Sequence, residues 1–121
     1  MKQRIGFIGV GLMGSSLARH LLAAGFPVTV HDIDPAKVEA IAKAGGKKVN
    51  SPARIAPQVD VIIMSLPTSQ VVNEVVKDSL KLFETGRKGL IVIDATTADP
   101  VMSEELAAQL AEKGIEMLDA T

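Results

Sequence analysis

Cysteine, tryptophan and tyrosine are all absent from the 121 residues, and three phenylalanines are the whole aromatic complement. Without cysteine, disulfides, zinc–thiolate sites and a thiol nucleophile are excluded. So few aromatics leave no stacking platform for single-stranded nucleic acid. A formal charge of -1 gives no electrostatic pull toward nucleic acid or an anionic membrane. No apolar run approaches the roughly 20 residues that cross a bilayer. The opening MKQRIGFIGV lacks the long apolar core and small-residue cleavage site of a signal peptide. These absences set the expectation of one soluble, cytoplasmic domain with no nucleic-acid, membrane or metal partner. Its length suffices to bury a core. That core must be aliphatic, because 47% of the residues are hydrophobic while only Phe7, Phe26 and Phe83 are aromatic.

What is present alternates between two patterns. Short apolar runs at Arg4 to Ile8, Val28 to Asp32, Val59 to Leu66, Leu90 to Asp94 and Ile115 to Leu118 read as strands covered on both faces. A weak sixth strand is placed near Lys48 and Val49. Between them, Leu12 to Ala24 spaces Met13, Leu17 and Leu21 along one helical stripe, with Ala18 and Leu22 beside it. Gly25 then stands as a left-handed stop. Asp34-Pro35 predicts a helix N-cap followed by proline in the first turn, and that helix runs to about Ala44. Ser51-Pro52 and Asp99-Pro100 repeat the device before two further helices, the last ending at Lys113-Gly114. Another helix is expected from about Val71 to Leu82. Strand and helix in alternation predict a single α/β domain over residues 1–121, with right-handed crossovers.

Four early glycines, at positions 6, 9, 11 and 14, each cost backbone entropy. Gly9-Val10-Gly11-Leu12-Met13-Gly14 is a G-x-G-x-x-G between a predicted strand and a predicted helix. There the first glycine allows a tight turn, the second lets a pyrophosphate approach the backbone, and the third lets helix and strand pack closely. The unpaired N–H groups and positive end of the helix then face the phosphates. An acidic residue about 20 residues on should end the second strand and bind a ribose hydroxyl; Asp32 stands near that offset, and Asp34 reads as the cap. A carboxylate at position 32 repels the 2′-phosphate of NADP and so favours NAD. Together these features predict a Rossmann-type, doubly wound, mainly parallel sheet with helices on both faces. FAD and S-adenosylmethionine use similar loops and stay open as lesser alternatives.

Ligands in such folds lie beyond the carboxyl ends of the strands. SLPTS follows the third strand there, and DATTADP the fourth. Leu66-Pro67 offers a rigid apolar turn, while Thr96 and Thr97 offer hydroxyls; ordinary turn and cap chemistry accounts for these residues equally well. With IGFIGVGLMG ahead of them, SLPTS and DATTADP resemble the β-hydroxyacid dehydrogenases, the family of 3-hydroxyisobutyrate dehydrogenase and tartronate semialdehyde reductase. The 6-phosphogluconate dehydrogenases are more distant relatives. The resemblance runs over the whole chain. It implies that Gly9, Gly11, Leu12, Met13 and Gly14 contact the dinucleotide and that Asp32 takes the adenosine ribose. Leu66, Pro67 and Val71 would line the cofactor side of the cleft, and Thr97 would touch the nicotinamide half. Thr96 would hold the substrate carboxylate of a small hydroxyacid, where the family usually has serine. NADP-preferring relatives tend to carry Asn-Arg at the end of the second strand; His31-Asp32 here supports NAD.

The same resemblance implies residues not found here. Family members continue with a D-A-P-V-S-G-G segment, a catalytic lysine that exchanges a proton with the substrate oxygen, and an all-helical second domain. Asp119-Ala120 begins like that segment, but Thr121 stands in place of the proline. The expectation is a domain that binds cofactor without turnover, with no catalytic residue of its own. Lys77, Lys81 and Lys88 sit on the flank of the sheet as solvated charges. His20 reads as a surface residue, His31 lies on the adenosine side, and Met64 and Met117 as core. Without a covering domain, the final strand is expected to favour a homo-oligomer. A non-catalytic nucleotide-binding or interaction module fits the same residues and stays open as the alternative.

Overall fold

The computed structural model of the chain describes residues 2–9, 11–96 and 99–120, with Leu12 and Met13 described by their backbone alone. Six strands form one sheet: β1 (Ile5–Ile8), β2 (Val28–His31), β3 (Lys47–Lys48), β4 (Val61–Met64), β5 (Ile91–Asp94) and β6 (Glu116–Asp119). All neighbours pair in parallel, in the order β3-β2-β1-β4-β5-β6. Five α-helices accompany them among the described residues: α1 (Leu12–Ala23), α2 (Pro35–Lys43), α3 (Ser69–Glu74), α4 (Leu82–Thr85) and α5 (Pro100–Ala111).

Side chains alternate across a strand, so each strand feeds two cores. Ile5, Phe7, Val28, Val30, Val61 and Ile63 bury on one face with Ala18 of α1 and Ile41 of α2. Ile8, Ile62, Met64 and Val92 bury on the other with Val72 of α3, Leu82 of α4, and Leu106 and Leu110 of α5. This is the doubly wound arrangement that the near-continuous apolar runs imply. The chain leaves β1 for one face and β4 for the other, although the two strands are neighbours. That divergence opens a crevice at their carboxyl ends.

The helix ends follow the predicted chemistry closely. Asp34 Oδ1 accepts from the Ala36 N–H at 3.0 Å, and Asp99 Oδ1 from the Val101 N–H at 2.9 Å. Gly25 takes φ +89°, letting the Phe26 N–H reach Leu21 O at 3.0 Å and close α1.

Elsewhere the structure departs from expectation. Ser51-Pro52 starts no α-helix; two 3₁₀ turns, Pro52–Arg54 and Ala56–Gln58, stand there instead, and Pro57 lacks the N–H a longer helix needs. The Arg87 guanidinium takes up two freed carbonyls, Ala56 O at 2.9 Å and Val59 O. The helix expected from Val71 to Leu82 starts earlier, at Ser69, with Thr68 Oγ1 accepting from the Val71 N–H at 3.2 Å. It then widens into a π turn over Val75–Ser79, and Lys81 breaks it at φ +52°. β4 is shorter than Val59 to Leu66, and β6 lies one residue later than Ile115 to Leu118. Leu17, assigned to the apolar stripe of α1, is 44% exposed, whereas Ala18 is fully buried.

Candidate functional site: a cleft at the carboxyl ends of the strands

The glycine loop divides its work as its spacing suggests. Gly9 follows β1 at φ +80°, and a Cβ there would lie 2.3 Å from Ser65 O and 2.8 Å from Leu66 Cδ2. Its N–H donates to His31 O at 3.0 Å, which draws the loop against the end of β2. Gly14 lies under the turn, where a Cβ would meet Gly9 O at 3.1 Å. Gly11 differs from both. Its φ of -71° suits any residue, and a Cβ would meet no atom of the described residues within 4 Å, its chain neighbours apart. The backbone therefore does not require glycine at 11, whereas a ligand lying against the start of α1 would. No side chain caps α1 at Gly11, and its first turn holds no acidic residue. Its leading N–H groups and positive dipole end suit an anion.

Gly9, Gly11, Asp32, Leu66, Pro67 and Val71 line a single cleft of about 420 Å³. Six expected cofactor contacts from three separate loops thus come together. Gly14 supports this cleft from below. Thr97 and the side chains of Leu12 and Met13 lie outside the described residues. Thr96 is placed differently: it is 2% exposed, and its Oγ1 accepts from the Leu66 N–H at 2.9 Å. Its own N–H donates to Asp94 Oδ1 at 2.9 Å.

Asp32 stands just past β2, with Oδ1 accepting from the Asp34 N–H at 2.9 Å. A carboxylate has further lone pairs for other donors. Beside it, partial burial holds His31 below the usual histidine range, with the Asp32 charge opposing that shift. A neutral imidazole adds no positive charge to this end of the cleft. The strongly perturbed carboxylate is elsewhere, at the amino ends of the strands: Asp60 is lowered to about 2, chiefly by the hydrogen bond from the Arg4 side chain.

Sequence reasoning missed Val75, Ser79 and Lys37, which line the same cleft. Val75 stands one helical turn after Val71, a spacing that makes it findable. Ser79 was not. A regular α-helix would carry it about 80° around from Val71, and the π turn returns it toward the cleft. Lys37 lies in the first turn of α2, whose start Asp34 signals.

The donor set fits a dinucleotide: an uncapped helix end for phosphate, an open cradle at Gly11, a carboxylate for ribose hydroxyls and an apolar wall. No group of three or more metal-binding side chains occurs among the described residues. Nor is any described helix long and apolar enough to cross a membrane.

Comparison with known proteins bears on the family and the fold. Residues 4–121 match the family described as the NAD binding domain of 6-phosphogluconate dehydrogenase. The chain is 37% identical over 119 residues to mitochondrial 3-hydroxyisobutyrate dehydrogenase of Bos taurus, covering 98% of this chain and 35% of that protein. The 3-hydroxyisobutyrate dehydrogenase of Mycobacterium tuberculosis, solved with L-serine, superposes with a TM-score of 0.90 at 30% identity, over 99% of this chain and 40% of that one. An imine reductase variant from Myxococcus stipitatus, solved with NAD+, gives 0.87 at 25% identity, over 98% and 40%. The chain thus spans well under half the length of the relatives it matches.

Proposed function

This chain belongs to the family of the NAD binding domain of 6-phosphogluconate dehydrogenase, and from that premise we propose that it holds NAD, in preference to NADP, as the cofactor-binding part of a dehydrogenase for a small 3-hydroxyacid. The acid would be of the 3-hydroxyisobutyrate or tartronate semialdehyde type. The observation that carries the reading is the convergence of Gly11, which has room beside it, and Asp32 on one cleft.

Each residue then has a physical task. The first-turn N–H groups of α1, from Gly11 through Met13, bind the pyrophosphate, and Gly9 and Gly14 keep that turn tight. Asp32 accepts from the adenosine ribose and repels a 2′-phosphate. Leu66, Pro67 and Val71 exclude water from one side of the cofactor, and Thr97 contacts its nicotinamide half. Thr96 accepts from Leu66 and keeps its own proton, a donor for the substrate carboxylate. Bound NAD supplies the carbon that accepts or returns the hydride. Orientation by the protein contributes to rate, and no described residue of the cleft is assigned the proton transferred to or from the substrate oxygen. The chain alone binds cofactor without turnover.

Calorimetric titration with NADH and NADPH, on the wild type and on Asp32→Ala, tests the reading. NADH should bind more tightly than NADPH, and the variant should lose that preference. Equal affinities in the wild type, or a preference that survives the substitution, would overturn the cofactor assignment.

A further inference from the structure

The loops after β4 and β5 are tied by an exchange of hydroxyls. Thr96, after β5, accepts from the Leu66 N–H of the β4 loop at 2.9 Å. Ser69, at the start of α3, accepts from the Asp99 N–H of the β5 loop at 2.6 Å. Both hydroxyl-bearing residues are buried, at 2% and 7% exposure. Each loop gives one acceptor to the other's backbone.

The register makes the exchange more than coincidence. β4 and β5 pair Met64 with Asp94, and among the described residues the backbone bond between them nearest this end runs from the Ala95 N–H to Met64 O at 2.9 Å. Both hydroxyl bonds keep the same separation of 30 residues. The side chains carry the pairing of the two strands beyond Met64 and Asp94, up to the N-termini of α3 and α5. The Asp94 carboxylate, 2% exposed, holds the Thr96 N–H and fixes the start of this extension. Threonine suits the position, since its β-branch stiffens χ1 and keeps the hydroxyl aimed at one partner.

We infer that Thr96 and Ser69 are positioning residues for the dinucleotide: they hold the Leu66-Pro67-Val71 wall in its binding geometry from the neighbouring loop. The inference rests on the cofactor reading above and adds to it that the wall is pre-formed. A wall already in place spares the ordering cost that binding would otherwise carry. The two loops therefore behave as one body, and a change in the second loop alters cofactor affinity through the first.

Two readouts on the intact chain test this: amide hydrogen exchange at Leu66 and Asp99, and NADH affinity by calorimetry. Thr96→Val removes the acceptor while keeping the shape. It should free the Leu66 amide to exchange and weaken NADH binding between about two- and tenfold, the range expected for one lost neutral hydrogen bond. Thr96→Ser should restore both. Ser69→Ala should free the Asp99 amide and weaken NADH similarly, and it decides the matter if Thr96→Val does not fold. Undiminished NADH affinity with the amide freed overturns the inference, since a purely structural bond would change exchange alone. If the wild type binds no NADH, the cofactor reading and the positioning role both fall, while protected Leu66 and Asp99 amides still establish the tie itself.

Discussion

Gly9 and Gly11 stand two positions apart in one motif, and their substitution by alanine should fail in opposite ways. At Gly9 a methyl group would sit 2.3 Å from Ser65 O, with φ already at +80°. The left-handed backbone costs a non-glycine residue about 1–2 kcal/mol, and the overlap with backbone oxygen adds strain of about the same size. Gly9→Ala should therefore lose about 3 kcal/mol of stability. At Gly11 the methyl group meets none of the described residues beyond its chain neighbours, at φ -71°. The remaining cost is alanine's weakness as an N-cap, less than about 1 kcal/mol. Yet that methyl occupies the cradle assigned to pyrophosphate, so Gly11→Ala should fold normally and lose NADH. Urea denaturation measures the first quantity, and calorimetric titration the second. The reasoning is refuted if Gly11→Ala is as destabilised as Gly9→Ala, or if it binds NADH as the wild type does.

Lys81 holds φ +52° without being glycine, so Lys81→Gly should raise stability by about 1 kcal/mol, visible as a higher urea midpoint; a lower midpoint would contradict the strain argument. Asp60 is lowered to about 2 by Arg4, and a depressed carboxylate stabilises the fold above its unfolded pKa. That stability should be lost as pH falls from about 4 toward 2, and Asp60→Asn should flatten this acid limb in a melting series, whereas an unchanged limb would remove the pair from the account. β6 is an edge strand with Leu118 44% exposed, so light scattering should show mass rising above 12.7 kDa with concentration. Leu118→Lys should return the monomer, and a wild type that stays monomeric throughout would refute the self-association.

Much of this architecture is legible in the sequence because local chemistry dictates it. Apolar runs give strands buried on both faces, Asp34 and Asp99 bond their own chain two residues on, and Gly9 and Gly25 take the positive φ that their turns need. These signals act within a few residues. What escapes depends on partners far along the chain. Thr96 reads as a free hydroxyl until Leu66, 30 residues away, is found donating to it. Ser51-Pro52 looks like Asp34-Pro35, yet its hydroxyl forms no cap, and Arg87 stabilises the 3₁₀ turns from across the fold. The π turn that brings Ser79 to the cleft leaves no mark in the apolar spacing. The site was accordingly clearest along the glycine loop and β2, and least clear between the loops after β4 and β5.

The central claim is one of place: a dinucleotide lies in the cleft between the loops after β1, β2 and β4. Backbone amide shifts of the ¹⁵N-labelled chain, followed while NADH is added, test it most directly. The account predicts saturable shifts centred on Gly9, Gly11, Asp32, Leu66 and Val71. Shifts centred instead on the groove between α1 and α2, at Arg19 and Lys43, or no shifts at saturating NADH, would contradict it.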